Sequence, residues 1–288
     1  MSGCGPVRHD PTKASELTVF GVPYGTIQKI GPVAPTEGDI RPVLKLWEEI
    51  AQKGGVGVEP ATWKEDFITI LQGRETEEKR PGHNYSRISR CLEAYLTESA
   101  TPLVSSNVRG RCFFRTEEGS FGLCPPSAAP GKCIHTHKHI LIDDYVLTAF
   151  QGDILTVILG CAYLVLLRPS QPAGRFQVVG TAYAWGLMDT EALLSPTPSE
   201  YRIEYHDTPQ ASLIQKFIHL ETGEVRYDDP RLGALPPDWE FKRAYEPDEI
   251  AQRFYRNVQT GEVTDNDPRL MPEELRKRGT AVVEIILV

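Results

Sequence analysis

The chain has 288 residues, enough for two domains or for one with appendages, and its 40% hydrophobic and 24% charged content excludes a largely disordered polymer. A formal net charge of −8, with Lys and Arg scattered among the acids, excludes the basic stripe that a nucleic-acid binder needs. The cysteines, Cys4, Cys91, Cys112, Cys124, Cys133 and Cys161, form no CxxC pair, and the N-terminal stretch has no apolar secretory core, so reduced thiols in the cytosol are expected.

Leu17 to Gly31 is an apolar run that predicts one or two strands, broken between Gly21 and Pro23. Val43, Leu44, Leu46, Trp47, Ile50 and Ala51 then recur at helical spacing, with Gly54 and Gly55 as the stop. Further helices are expected at Thr62 to Gln72 and at Ser86 to Glu98, separated by a polar loop. From Gly110 the texture becomes short β-type segments punctuated by Gly and Pro, which predicts a small, strongly bent sheet or barrel. Ile154 to Leu167 is unbroken by charge but shorter than the ~20 residues of a spanning helix, so it reads as two buried strands split at Gly160 and Cys161, and no membrane segment is expected.

Between the second and third of those β segments lies GKCIHTHKHILIDDY. On a strand, His135, His137 and His139 would project to one face, with Cys133, Asp143 or Asp144 near enough to complete a zinc shell. A metal site also needs supporting hydrogen bonds and a rigid frame, which a lone loop between strands supplies poorly. No cofactor is expected, and a metal-dependent hydrolase built on residues 133–144 is the least favoured alternative.

The last third holds a repeat: FIHLETGEVRYDDPRL, Phe217 to Leu232, returns as YRNVQTGEVTDNDPRL, Tyr255 to Leu270. Each copy predicts a hairpin, because Thr-Gly between β-type runs suits a turn with positive φ. LPPDWEF and the second copy resemble a WW module through Trp239, Tyr255 and Asn257, but Asp265 stands at the ligand-stacking tryptophan position, and Tyr227 stands there in the first copy. Trp239, Tyr255 and Tyr227 are thus weak candidates for partner contact, with Trp239 first a packing residue. His206 and His219 read as strand or turn residues. Asp228 with Asp229 reads as a solvated turn pair, since neighbours on a strand face opposite ways. No nucleophile elbow, phosphate loop or dinucleotide fingerprint is present, and no catalytic residue is assigned.

The order of several motifs carries a resemblance: Gly110, Arg111 and Thr116; Gly122, Leu123 and Pro125; Gly152 and Asp153; Leu167, Arg168 and Pro169; Met188, Glu191 and Ala192. Together with the tryptophan helix and FITILQGR, they resemble the C-terminal region of fungal heterokaryon incompatibility (HET domain) proteins, over most of the chain. No segment resembles the HET domain itself, and Cys124 and Thr190 stand where that pattern has glycines. In the family a Pro-Gly turn runs straight into the aspartate, so about residues 131–151 read as an insertion, expected to be a retained in-frame intron lying outside the core.

The resemblance implies a non-enzymatic, cytoplasmic accessory or regulatory portion of an incompatibility protein, truncated or from a fragmentary gene model. It would act in non-self recognition and programmed cell death, with other proteins of that pathway as partners. A WW-like interaction module is the alternative. The expected fold is α+β: a mainly helical region with an N-terminal strand at 1–109, packed on a small β-barrel or bent antiparallel sheet at 110–194, then a tail of two hairpins and a final strand at 195–288.

Overall fold

The computed structural model describes residues 8–9, 16–52, 62–72, 108–125, 152–161, 163–187, 190–207, 213–243 and 253–288, which form a mixed α and β fold that is mostly sheet with few helices. In chain order these are β1 (Arg8–His9), β2 (Leu17–Ile30), α1 (Arg41–Gln52), α2 (Thr62–Gln72), β3 (Cys112–Thr116), β4 (Phe121–Cys124), β5 (Ile154–Ile158), β6 (Leu164–Ser170) and β7 (Arg175–Ala184). There follow α3 (Glu191–Leu194), β8 (Tyr201–Asp207), β9 (Leu213–His219), β10 (Val225–Arg226), β11 (Trp239–Arg243), β12 (Arg253–Asn257), β13 (Val263–Thr264), a 3₁₀ turn (Pro268–Leu270), α4 (Pro272–Lys277) and β14 (Val283–Leu287). Contacts divide the chain into a helix-bearing unit, Tyr24–Thr156 with Tyr163–Met188 and the last residue, and a tail unit, Met1–Pro23 with Val157–Ala162 and Asp189–Leu287. The segment 131–151 and the expected helix at 86–98 lie outside the described residues. Among the described residues no helix is long and apolar enough to cross a membrane.

In the helix-bearing unit the strand order is β2-β3-β4-β7-β6-β5, all pairs antiparallel. What forms is a sheet and not a clear barrel, although Ile27 N donates to Asp153 O at 2.8 Å and Ile27 O accepts from Gly152 N at 3.1 Å, so β2 also meets the start of β5. The predicted split of Ile154 to Leu167 is present, with Gly160 at φ 88° in the turn between β5 and β6. Both faces of β3 are buried; on one of them Trp47 stacks on Phe113 with ring centroids 5.8 Å apart, and Phe67 meets the same ring edge-on at 5.4 Å. Leu44, Trp47 and Ala51 of α1 are buried one and two turns apart, as helical spacing requires, whereas Leu46 is exposed. Trp47 Nε1 donates to Pro32 O at 2.9 Å, so its one polar group is satisfied inside the core. A Cβ on Gly31 would lie 2.4 Å from Trp47 Cδ1, which makes the close approach of the indole conditional on glycine there.

β2 corrects the sequence reading, because it runs through Gly21 and Pro23 without a break. Its ladder partners are β14 at Leu17–Gly21 and β3 from Ile27 onward, so the N–H that Pro23 lacks falls where neither pairing asks for it.

In the tail unit Phe20, Val22, Leu159, Leu275 and Val282 form the core, with Leu193, Leu194 and Leu270 packed against them. The unpredicted helix α4 obeys the terminal rules: Pro272 at its first turn, Glu273 and Glu274 near its positive end, Arg276 and Lys277 at its last turn. The remaining strands make two three-stranded antiparallel sheets, β10-β9-β8 and β11-β12-β13.

Candidate interaction surface

The residues first suspected of chemistry, Cys133, His135, His137, His139, Asp143 and Asp144, lie outside the described residues, as do His206's side chain and Met188. Among the described residues no three His, Cys, Asp or Glu side chains gather as metal ligands.

Several of the other motif residues have a structural task. Asp153 and Arg168, from two separate motifs, form a two-pronged ion pair in which Arg168 Nε and Nη2 donate to Asp153 at 2.9 and 2.8 Å. Asp153 is almost fully buried, and the β5–β6 register that pairs Ile154 with Leu167 sets the two residues opposite one another. Gly122 approaches β7 so closely that a Cβ would lie 1.9 Å from Tyr183 O. Arg111 Nη1 donates to Thr181 O at 3.3 Å. Of the two departures from the pattern, Cys124 is buried opposite Cys112, and burial, then the neighbouring Cys112 thiol, pushes its own thiol up. Thr190, where the resemblance expects glycine, takes φ 67°, a left-handed conformation that a β-branched residue holds only under constraint.

That constraint comes from the repeat. Arg231 Nη2 donates to Thr190 Oγ1 at 2.8 Å and Nη1 to Ser195 O at 2.7 Å, so one guanidinium holds both ends of α3. Ser195 is also left-handed, φ 67° and ψ 172°. Arg231 is itself fixed by Asp229, two residues back, whose carboxylate accepts from Arg231 N and Nε at 2.9 Å each and from Nη2 at 2.6 Å. Asp267 and Arg269 repeat this hook with the same three donors at 2.9, 2.9 and 2.6 Å. The second hook then diverges: Arg269 reaches Asp228 of the first copy with Nη1 and Nη2 at 3.0 and 2.9 Å and Gly233 O at 2.9 Å. Asp228 and Asp229 are therefore each paired with an arginine; Asp229 is largely buried in its hook, whereas Asp228 keeps the solvent exposure expected of a turn residue. Burial pushes the Asp267 carboxyl up, but bonds from the Arg269 side chain and backbone, and from the Tyr255 hydroxyl, outweigh it and hold the carboxyl below its ordinary value. The Arg269 guanidinium is opposed by burial and favoured by Asp267 and Asp228, with the charged form winning.

The two copies agree far beyond the sequence match. Residues of the first recur 38 positions later in the second, as in Tyr201 opposite His219 and Trp239 opposite Asn257. The backbone bonds recur with them: Tyr201 N to Pro198 O and Trp239 N to Pro236 O at 2.9 Å, Leu220 N to Glu200 O and Val258 N to Asp238 O at 2.8 Å. Each copy is thus a three-stranded sheet beginning at a proline. The sequence reading missed the first strand of the first copy because Tyr201 takes the place of Trp239; the signal was Pro198 and Pro236, each three residues before the aromatic.

Of the three aromatic candidates, burial takes Tyr255 away from any ligand: it is 3% exposed, its hydroxyl donates to Asp267 at 2.8 Å, and Phe241 meets it edge-on at 5.8 Å. Trp239 is half-buried on that same face. Tyr227 is 55% exposed. The opposite faces carry exposed aliphatic side chains at matching positions, Leu220 with Val258 and Val225 with Val263. The tail unit also holds a cavity of about 360 Å³ bordered by α3, Arg231 and Arg278–Ala281. Its arginines are engaged, Arg231 by Asp229 and Arg278 by the carbonyls of Arg231 and Leu232, and Glu191 also lines it. No family model, curated protein or solved structure matches this chain.

Proposed function

We propose that the chain is a non-catalytic, cytoplasmic accessory or regulatory portion of a fungal heterokaryon incompatibility protein, acting in non-self recognition and the cell death that follows it. The observation that carries this reading is the coupling of separate motifs: Gly-Asp at 152–153 and Leu-Arg-Pro at 167–169 meet as the ion pair of Asp153 with Arg168. The left-handed Thr190, at a position where the family pattern has glycine, supports it independently. On the same reading the meeting of β2 with the start of β5 closes the sheet into the small barrel expected of that region. The test is expression of the chain in a fungal strain that carries an incompatibility protein with an intact HET domain. Cells expressing it alone stay viable, and the death response after fusion with an unlike strain changes. An unchanged response, or killing by this chain alone, overturns the proposal.

A second reading, a WW-like protein-interaction module, is favoured by one observation, the pair of three-stranded sheets related residue by residue. It expects partners to be shared with other proteins of the incompatibility pathway and to depend on Tyr227, not on Tyr255. Pull-down with the chain and with Tyr227→Ala tests it; an identical set of captured proteins removes it.

A further inference from the structure

Within the helix-bearing unit, β3 carries a cation that the fold leaves half satisfied. Arg115 is 7% exposed, and a guanidinium buried to that degree ordinarily faces a carboxylate. Arg41, Arg168, Arg231 and Arg269 each do so with the same edge, Nε and Nη2 together on one aspartate. On Arg115 that edge holds no acid: Nη2 donates to Gln28 Oε1 at 2.6 Å, and Nε, shielded from solvent, has no partner. A buried donor without a partner calls for an explanation, and an absent ion is one of the few available. The Gln28 amide offers one acceptor oxygen, and its nitrogen is itself a donor, so it cannot serve both positions. The third nitrogen is accounted for, since Nη1 donates to Ile50 O at 3.4 Å in the last turn of α1, where carbonyls lack helical partners and a cation is favoured.

The strand ladder brings a second cation to the same place. Lys29 is the register partner of Arg115, and the β2–β3 pairing shifts between Ile27 and Lys29, so Gln28 and Lys29 both oppose Arg115. Lys29 is exposed, and among the described residues neither it nor Arg115 forms an ion pair. Glu118 of the following turn does not supply one: it lies near Gly25 and Thr116, and Thr116 faces away from Arg115 because neighbours on a strand alternate. Gln28 is exposed as well, so the amide on Nη2 belongs to a side chain that can swing into water and uncover the edge. We propose that Arg115 and Lys29 form a binding site for the phosphate group of a small molecule. The phosphate displaces the Gln28 amide and sets two oxygens on Nε and Nη2 of Arg115, while Lys29 meets a third. A guanidinium edge accepts two oxygens of a carboxylate or a phosphate alike, and the second unpaired cation favours the group with the greater charge.

Thermal unfolding and calorimetric titration of the full chain with inorganic phosphate test this, with acetate and chloride at matched ionic strength beside it. Phosphate raises the unfolding midpoint in a saturable way, acetate raises it less, and chloride leaves it unchanged. Lys29→Ala weakens phosphate binding about tenfold. Gln28→Glu supplies the missing carboxylate from within the chain, so this variant melts above the parent without ligand and no longer responds to phosphate. Both positions are exposed, so neither change removes core packing, and circular dichroism verifies the fold of each variant. Absence of a phosphate response in the parent overturns the inference. An undiminished response in either variant assigns the effect to an adventitious ion only and overturns it too. Equal binding of acetate overturns phosphate as the occupant. A Gln28→Glu midpoint at or below the parent's means that the Arg115 edge needs no anion, which overturns the site itself.

Discussion

The two tail copies have the same backbone and nearly the same hook, yet their arginines reach different places. Arg231, after taking Asp229, turns to Thr190 and Ser195 and pins a strained single turn. Arg269, after taking Asp267, turns to Asp228 and Gly233 and ties the second copy to the first. The lesson is that an Asp-Pro-Arg unit satisfies its own carboxylate with part of one guanidinium and leaves the remaining donors for a neighbour. Repeating the unit therefore repeats the local fold while allowing each copy a different attachment.

Breaking the inter-copy attachment has the largest expected effect. Arg269 is buried, and Arg269→Ala leaves the Asp267 carboxylate inside the fold without its counter-charge, so the tail unit loses about 3–5 kcal/mol. Chemical denaturation followed by circular dichroism measures this, and a loss under about 1 kcal/mol, the value of a surface pair, would contradict the assignment of Arg269 as the tie.

Acid attacks the same attachment more gradually. Asp267 binds its proton less readily folded than unfolded. Its contribution is thus complete above the ordinary aspartate range near pH ~4, and is lost as pH falls through its lower folded value. Stability of the tail unit should fall on acidification in that window, and Asp267→Asn should flatten the fall. An acid limb as steep in the variant as in the parent would assign the loss to other carboxylates.

A milder change makes the second copy resemble the first. Phe217 occupies in the first copy the place of Tyr255, so the hydroxyl bond to Asp267 exists only in the second. Tyr255→Phe keeps the ring packing and removes that bond, at an expected cost of about 1.5 kcal/mol, with the acid-induced loss moved to higher pH because Asp267 is less strongly held in its charged form. Thermal melts across the acid range check both parts.

Much of this frame is legible in the sequence, and the part that is not has a physical reason. Helix α1 follows from the spacing of Leu44, Trp47 and Ala51, and the β5–β6 turn from Gly160, because both are local signals. The hairpins follow from Thr-Gly for the same reason. Pairings that join distant segments leave no local trace: nothing near Asp228 announces Arg269, 41 residues away, and nothing near Asp153 announces that its motif closes on Arg168. Pro23 misleads in the opposite sense, since a strand breaker is harmless where no ladder partner needs its N–H. Of the candidate surface, Tyr227 is legible as a residue of interest, whereas the burial of Tyr255 and the exposure of Leu220 are set by which face of each sheet meets the rest of its unit, a choice that alternation alone leaves open.

The smallest expected effect tests the first hook, and it runs toward greater stability. Ser195 holds φ 67° and ψ 172°, a region essentially reserved for glycine, and Arg231 binds its carbonyl, not its hydroxyl. Ser195→Gly therefore removes the steric cost and retains the bond, and should raise stability by about 1 kcal/mol after the extra freedom of glycine in the unfolded chain is counted. Thr190→Gly is the contrasting case: it relieves the same kind of strain but deletes the Oγ1 acceptor of Arg231, so its gain should be smaller or reversed. Thermal unfolding of the pair distinguishes the two contributions. If both variants melt at the parent temperature, α3 is not strained by its ends, and Arg231 holds a turn that would form without it.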